Sequence, residues 1–362
     1  MIRSWVLAIV CLLAGVALGS WVTADLSAMP PAPLPAGASP ELQRAIEEAG
    51  PPNVAARRLL SPQSESQWRF LIEQRSDDRR GQLDRLAKSF GVSAWGGQVE
   101  GVPVYWISPL DLAPEMADQL FIYVHGGAYV FGGGEGGALE AAGISATTGI
   151  PTISIDYRMP PDHPHPAAVD DVEKVYRALL QDHDPTKMAL GGTSAGGGLT
   201  MASIHRFKDR SLPLPAAIYL GTPWADLTKT SDTLYTMEGV DRILGTHDGI
   251  LKAAAQLYAG ETDLKDPLVS PVYGDFSDFP PAYLVTGTRD MLLSDTARVA
   301  QKMRVAGIEV ELIVFEGLSH AEYAFVQGSP EFEQTYGGLA EFLRFHLNDA
   351  EQSSQEAPPG SS

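Results

Sequence analysis

The first 24 residues are patterned unlike anything that follows them. Arg3 leads into an almost unbroken apolar run from Trp5 to Leu18, which ends on the small-residue exit Val22-Thr23-Ala24 before Asp25. A basic start, a short apolar run and a small-residue exit mark a secretory signal peptide. Trp5 to Val22 also approaches the roughly 18 residues of a spanning helix, so an uncleaved anchor is the alternative reading; Gly15, Gly19 and Ser20 weaken it. Residues 25–39 hold Met29-Pro30-Pro31-Ala32-Pro33-Leu34-Pro35-Ala36-Gly37, a Pro-rich spacer expected to be extended.

From Pro40 to Gly91 the apolar positions follow a helical period. Leu83, Leu86 and Phe90 share one face, and Asp77-Asp78-Arg79-Arg80 reads as a solvated charge run. The pattern predicts a helical cap over residues 40–95. Beyond Val102 short apolar, β-branched runs alternate with helical segments. The runs are Tyr105–Ile107, Leu120–Val124, Thr152–Ile155, Met188–Leu190, Ala216–Leu220, Ala282–Val285 and Val310–Phe315. Strands alternating with helices predict an α/β domain, over residues 40–347, with a mostly parallel sheet covered on both faces. In such sheets ligands bind beyond the carboxyl ends of the strands. The tail, residues 348–362, is polar and rich in Ser, Pro and Gly, which predicts disorder.

Composition narrows the partners more than the chemistry. At 362 residues the chain can bury a full core, and 45 acidic against 26 basic residues give a net charge of −19. That balance argues against nucleic acid and anionic membrane as partners. A membrane enters only if the amino-terminal segment stays uncleaved, and a homodimer is left open. The single cysteine, Cys11, lies within the apolar run, so a cleaved chain could form no disulfide.

The chemistry concentrates at strand ends. Gly192-Thr193-Ser194-Ala195-Gly196 follows the run Met188–Leu190 and precedes a helical segment from Leu199 to Arg206. A serine between glycines at such a junction reads as a nucleophile elbow, a tight turn that presents the hydroxyl at the sheet edge. Acyl transfer from it needs a base, an acid to orient the base, and donors for an oxyanion. In the chain order serine, acid, histidine, the base follows the elbow. That order demotes His125, His163, His165 and His183. His205 falls in the helix after the elbow, His247 in a Gly/Asp/Thr-rich loop and His346 in the amphipathic terminal helix, which leaves His320, after the turn Glu316-Gly317-Leu318-Ser319. For the acid, Asp290 leaves the end of the run Ala282–Val285; its competitor Asp295 stands where a carboxylate usually serves a helix start. Val124-His125-Gly126-Gly127-Ala128 closes another strand, and its glycines let backbone N–H groups of Gly126 and Gly127 approach a substrate oxygen. The N–H of Ala195 adds a third donor. His125 is expected to brace that loop.

One motif points elsewhere. Gly132-Gly133-Gly134-Glu135-Gly136-Gly137 satisfies a dinucleotide-binding glycine pattern, with Asp156 at the end of the next strand. A Rossmann turn, however, places its first glycine at the strand end, and here His125 to Phe131 intervenes. No cofactor and no metal are expected.

Taken with His125-Gly126-Gly127, the segment Gly192-Thr193-Ser194-Ala195-Gly196-Gly197 resembles the bacterial hormone-sensitive-lipase-like esterases of the α/β-hydrolase fold. The segments from Asp156 to Ala168, from Thr222 to Leu227 and from Asp266 to Pro271 resemble further blocks of that family in order. Thr193 places the chain with the branch having threonine before the serine, and Asp290-Met291-Leu292 stands where the family often has Asp-Pro-Leu. The resemblance implies a cofactor-free hydrolase of short to medium acyl esters or lactones, with Ser194, Asp290 and His320 as triad and Gly126, Gly127 and Ala195 as oxyanion donors. It implies a lid that combines the amino-terminal helices with the segment Leu227 to Lys265, where Leu234, Tyr235, Met237 and Leu251 to Tyr258 would suit an apolar acyl pocket. Two rivals stay open: a non-catalytic binding protein on the same scaffold, and an amide or peptide hydrolase with the same triad.

Overall fold

In the computed structural model, residues 32–77 and 81–348 are described. The apolar run read above as a signal peptide, the spacer up to Pro31, the charge run at 78–80 and the tail from 349 lie outside them. The described residues from Pro35 onward belong to one compact unit.

An eight-stranded sheet organises that unit. The strands are β1 (Val92–Val99), β2 (Val102–Pro109), β3 (Leu120–Val124), β4 (Thr152–Ile155), β5 (Met188–Thr193), β6 (Ala217–Gly221), β7 (Ala282–Gly287) and β8 (Val310–Phe315). Their order is β1-β2-β4-β3-β5-β6-β7-β8, antiparallel between β1 and β2 and between β2 and β4, and parallel elsewhere. On β3 the period of two sorts the side chains: Leu120, Ile122 and Val124 join one core, while Phe121 and Tyr123 join the other. Both faces are buried, which is why this strand reads as a continuous apolar run.

Helices α6 (Ala167–Leu179), α7 (Ala195–Asp209) and α10 (Leu293–Val305) cover the first face. Helices α5 (Leu139–Thr148) and α11 (Pro330–Asn348) cover the second. The amino-terminal helices α1 (Pro40–Ala49), α2 (Val54–Leu59), α3 (Glu65–Asp77) and α4 (Gln82–Phe90), with α8 (Thr233–Thr236) and α9 (Ile250–Ala259), complete the fold.

Three expectations need correction. The cap does not reach residue 95, because Val92 already begins β1. That strand is at the sheet edge, carries Gly96-Gly97 and leaves Trp95 exposed, so it has no apolar run to announce it. Helix α1 is part of the body: Leu42 and Ile46 are buried in the second core, and Ser39 caps the helix while bonding Glu331 through its N–H (2.8 Å) and Oγ (2.7 Å). The end of the spacer is likewise docked, not extended, with Ala38 buried and the Gly37 N–H donating to Glu316 Oε2 at 2.6 Å. Helix α3 does serve the cap, burying Trp68 against Phe131, ring centroids 6.0 Å apart, in a small separate core with Val130 and Ala254.

Candidate active site

β5 runs straight into α7 through a single residue, Ser194, whose φ of 63° and ψ of −123° are ordinarily closed to a side chain. Such a conformation costs on the order of 1–3 kcal/mol and persists only where its surroundings over-determine it. Here they do. The Ser194 N–H donates to Gly221 O at 2.8 Å, and its carbonyl accepts from Trp224 N at 2.9 Å and Gly198 N at 3.1 Å. The turn closes on the neighbouring strand: a Cβ at Gly196 would stand 1.9 Å from Val124 O. Only glycine fits, and the serine hydroxyl is left facing the cavity.

His320 follows β8 and Asp290 follows β7, so adjacent parallel strands deliver them to the same edge. His320 Nε2 lies 2.8 Å from Ser194 Oγ, and its Nδ1 lies 3.1 Å from Asp290 Oδ1. A carboxylate only accepts, so Nδ1 carries the proton and Nε2 is free to take one from the serine. Asp290 is fully buried; its Oδ2 accepts from Thr286 Oγ1 and its Oδ1 from Leu292 N, both at 2.9 Å. Burial of the His320 ring opposes its charged form, but the carboxylates of Asp290, Asp241 and Glu140 outweigh that and raise its proton affinity above the ordinary imidazole value.

Asp295 sits elsewhere, accepting from Ala225 N, Asp226 N and Ser231 Oγ, and burial pushes its carboxyl up to about 7. His205 is a core residue between Phe276 and Phe279, bonded to Pro271 O, and burial lowers it to about 4. His247 lies beside Asp248, and His165 packs edge-on against Tyr258.

The loop after β3 forms the opposite wall. Gly126 lies so close to the elbow that a Cβ there would meet Thr193 O at 2.7 Å, and Gly127, at φ 110°, turns the chain away. His125 braces the loop: its ring stacks on Tyr157, centroids 4.2 Å apart, its Nδ1 is 2.8 Å from Gly126 O, and its carbonyl accepts from Tyr157 OH at 2.9 Å. Ala195 is the first residue of α7, so its N–H has no acceptor within the helix. The glycine run 132–137 packs under this loop, with Gly137 against the His125 ring and Gly134 N donating to Asp156 Oδ1 at 3.0 Å. Asp156 therefore closes a protein turn.

Gly126, Gly127, Ser194 and His320 line a cavity of about 830 Å³. Its apolar walls include Leu86 and Phe90 of α4, Phe131, Ile250 and Leu251 of α9, and Phe332. The amino-terminal helices and the 227–265 segment thus both contribute. Of the residues expected in an apolar pocket, Leu251 lines it. Leu234 is instead buried in the first core, Tyr235 is exposed, and Tyr258 stacks on Tyr129 at 3.9 Å.

Two carboxylates of the site escape the sequence reading, half-buried Glu140 and fully buried Asp241. Glu140, in the first turn of α5, accepts from Thr193 Oγ1 (2.6 Å), Tyr123 OH (2.7 Å), Tyr336 OH (3.0 Å) and Tyr219 OH (3.3 Å), with Tyr323 completing the cluster through Tyr219 at 2.8 Å. Its signal was available: it is the only charged residue of its helix. Asp241, from the lid segment, had none. Among the described residues no group of His, Cys, Asp or Glu could hold a metal ion, and no helix is long and apolar enough to cross a membrane.

The sequence model of the α/β hydrolase fold matches residues 121–324. The structure resembles the crystal structure of an esterase that is 44% identical, with a TM-score of 0.86 over 89% of this chain and 98% of that one. It also resembles an esterase from the bacterial hormone-sensitive lipase family, 31% identical, with a TM-score of 0.71 over 86% of this chain and 99% of that one. An acetyl-hydrolase of Streptomyces hygroscopicus is 30% identical over 300 residues, 79% of this chain and 97% of the relative.

Proposed function

The chain belongs to the α/β-hydrolase fold family, among the bacterial hormone-sensitive-lipase-like esterases, and is a carboxylic ester hydrolase; on that premise we propose that Ser194, His320 and Asp290 are its triad. The observation that carries the assignment is the continuous hydrogen-bonded relay from Ser194 Oγ through His320 to Asp290. Ser194 attacks the ester carbonyl while His320 Nε2 takes its proton, and Asp290 holds the ring and stabilises the imidazolium. The N–H groups of Gly126, Gly127 and Ala195 receive the oxyanion. Each such donor is worth about 3–4 kcal/mol of transition-state stabilisation. His320 then protonates the leaving alcohol, and water releases the acyl group by the same steps.

The substrates are small-molecule esters or lactones with short to medium acyl groups. Supporting this, the cavity of about 830 Å³ falls within the range usual for small-molecule sites and is walled largely by apolar side chains. Residues 1–24 are read as an export segment, on the basic, apolar and small-residue order of the sequence.

The test is release of p-nitrophenol from esters of increasing acyl length, without added cofactor, by the wild type and by Ser194→Ala. The variant is expected to lose at least about a thousandfold in kcat. The wild-type kcat/KM should rise with pH along an acid limb above about 6.5, because the base must be neutral and its proton affinity is raised. Equal rates for the two proteins would overturn the assignment.

A further inference from the structure

We propose that Asp241, carried by the lid segment, is a positioning residue for the triad, holding the catalytic acid's turn in place and setting its register with the lid. The proposal rests on the triad assigned above and adds a residue that is remote from it in sequence.

Asp241 is fully buried, and its two oxygens face different parts of the molecule. Oδ1 accepts from Ile243 N (2.9 Å) and Leu244 N (3.0 Å), closing a turn in its own segment. Oδ2 accepts from the backbone N–H of Met291 at 2.9 Å, the residue directly after Asp290. The next residue, Arg242, holds the histidine side. Its guanidinium donates to both carboxylate oxygens of Glu322, its N–H donates to Ser319 Oγ at 3.2 Å, and Glu322 Oε2 in turn accepts from Ser319 N at 3.0 Å. One dipeptide of the lid therefore grips the turn after the acid and the loop around the histidine.

The same strip is tied outward. Arg57 of α2 donates to Arg242 O at 2.9 Å and Ile243 O at 2.7 Å, and the side chains of Ile243 and Leu244 line the substrate cavity. Substrate wall, lid helix and triad turns thus meet on residues 241–244.

A turn that needed only a local acceptor would be served by a neutral asparagine. The carboxylate comes at a cost: buried beside Asp290, it suffers both desolvation and like-charge repulsion, which raise its own proton affinity. Against that cost stands its action on His320, whose charged form it favours. The imidazolium that forms during acyl transfer gains a second anion behind it. The charged groups around Asp241 are Asp290, His320, Arg242 with its partner Glu322, and Arg289 beside Arg242.

The test is Asp241→Asn, which keeps the shape and removes the charge and one acceptor. With the fold intact by circular dichroism, kcat should fall about tenfold, KM stay within twofold, and the acid limb of kcat/KM move to lower pH as His320 loses an anion. Wild-type kcat with an unmoved acid limb overturns the proposal, as does a lower kcat that merely tracks a lost folded fraction. Should that variant fail to fold, Arg57→Met loosens the strip from outside while keeping its aliphatic stem. It should lower kcat about threefold at constant KM, and unchanged kcat overturns the coupling. Ser194→Ala run alongside separates the two readings: if it stays active the triad assignment fails, whereas an inactive Ser194→Ala beside a wild-type-like Asp241→Asn sinks only the role of Asp241.

Discussion

The floor and the roof of the cavity are built on opposite terms. On the floor, buried Thr193 and the buried tyrosines 123, 219, 323 and 336 gather around Glu140, which borders the cavity, so that hydroxyl meets carboxylate or hydroxyl, and the elbow above them fits only glycine at Gly196. The roof is thinner. Its helices α2 and α3 leave Leu59 at 86% and Phe70 at 60% exposure, and beyond the small core around Trp68 they are held by a few bonds such as those of Arg57. The over-determined floor suits the role proposed for Ser194, since a nucleophile displaced by about 1 Å can lose about a hundredfold in rate. The roof has only to exclude water and fit a substrate, so fewer contacts suffice.

The largest effect that could break this contrast is at the elbow. Gly196→Val would drive a branched side chain into Val124 O, already 1.9 Å from where a Cβ would stand. We expect kcat, measured on the soluble fraction, to fall at least about a thousandfold, because no neighbouring backbone can retreat. A variant within tenfold of the wild type would show that the floor yields.

Next in size is the cluster itself. Glu140→Ala leaves the hydroxyls of four buried residues, Thr193, Tyr123, Tyr219 and Tyr336, without their acceptor, and should cost about 3 kcal/mol in denaturant unfolding. Glu140→Gln keeps the volume and should cost less. Burial raises the proton affinity of Glu140 despite those hydroxyl bonds, so the folded state holds its proton where the unfolded state has released it. Stability from this group is therefore present at low pH and is lost as pH rises above the ordinary glutamate range. The Gln variant lacks that slope, and the stability difference between the two should narrow with rising pH. A constant difference would mean that Glu140 binds its proton no more tightly in the folded state than in the unfolded one.

How much of each region could be read from the sequence follows the same division. Strands β3, β5, β6 and β7 are buried on both faces, whereas β8 is only partly buried; Ser194, Asp290 and His320 each follow a strand, so the elbow motif and the chain order serine, acid, histidine point to them. Edge strand β1 was missed because a half-exposed strand with Trp95 outward and two glycines lacks the apolar density that marks a strand. Asp241 was illegible for a different reason. Its role depends on a fold-back of the lid onto Met291, and no local pattern encodes a contact between segments that tertiary structure alone brings together. The acyl-pocket residues show the same limit, since Leu251 faces the cavity while Leu234 and Tyr258 face the core. A periodicity that marks one face apolar does not say which apolar surface it will meet.

The smallest expected effect sharpens the comparison from the roof. Leu86 of α4 lines the cavity from a half-buried position, on a helix whose buried anchors, Leu83 and Ala87, point into the body. Leu86→Trp adds bulk where the substrate lies and leaves those anchors untouched, so unfolding free energy should change by less than about 1 kcal/mol. Selectivity should respond instead. The ratio of kcat/KM for a medium acyl ester to that for an acetyl ester is expected to drop about tenfold, since a misfit of one or two methylenes in an apolar pocket is worth about 1–3 kcal/mol. The acetyl ester should keep its kcat, because neither Ser194 nor His320 depends on α4 for its hydrogen bonds. If both esters lost rate equally, the roof would be acting on the chemistry as the floor does, and the separation between the two would lie nearer the strip at residues 241–244 than at the cavity wall.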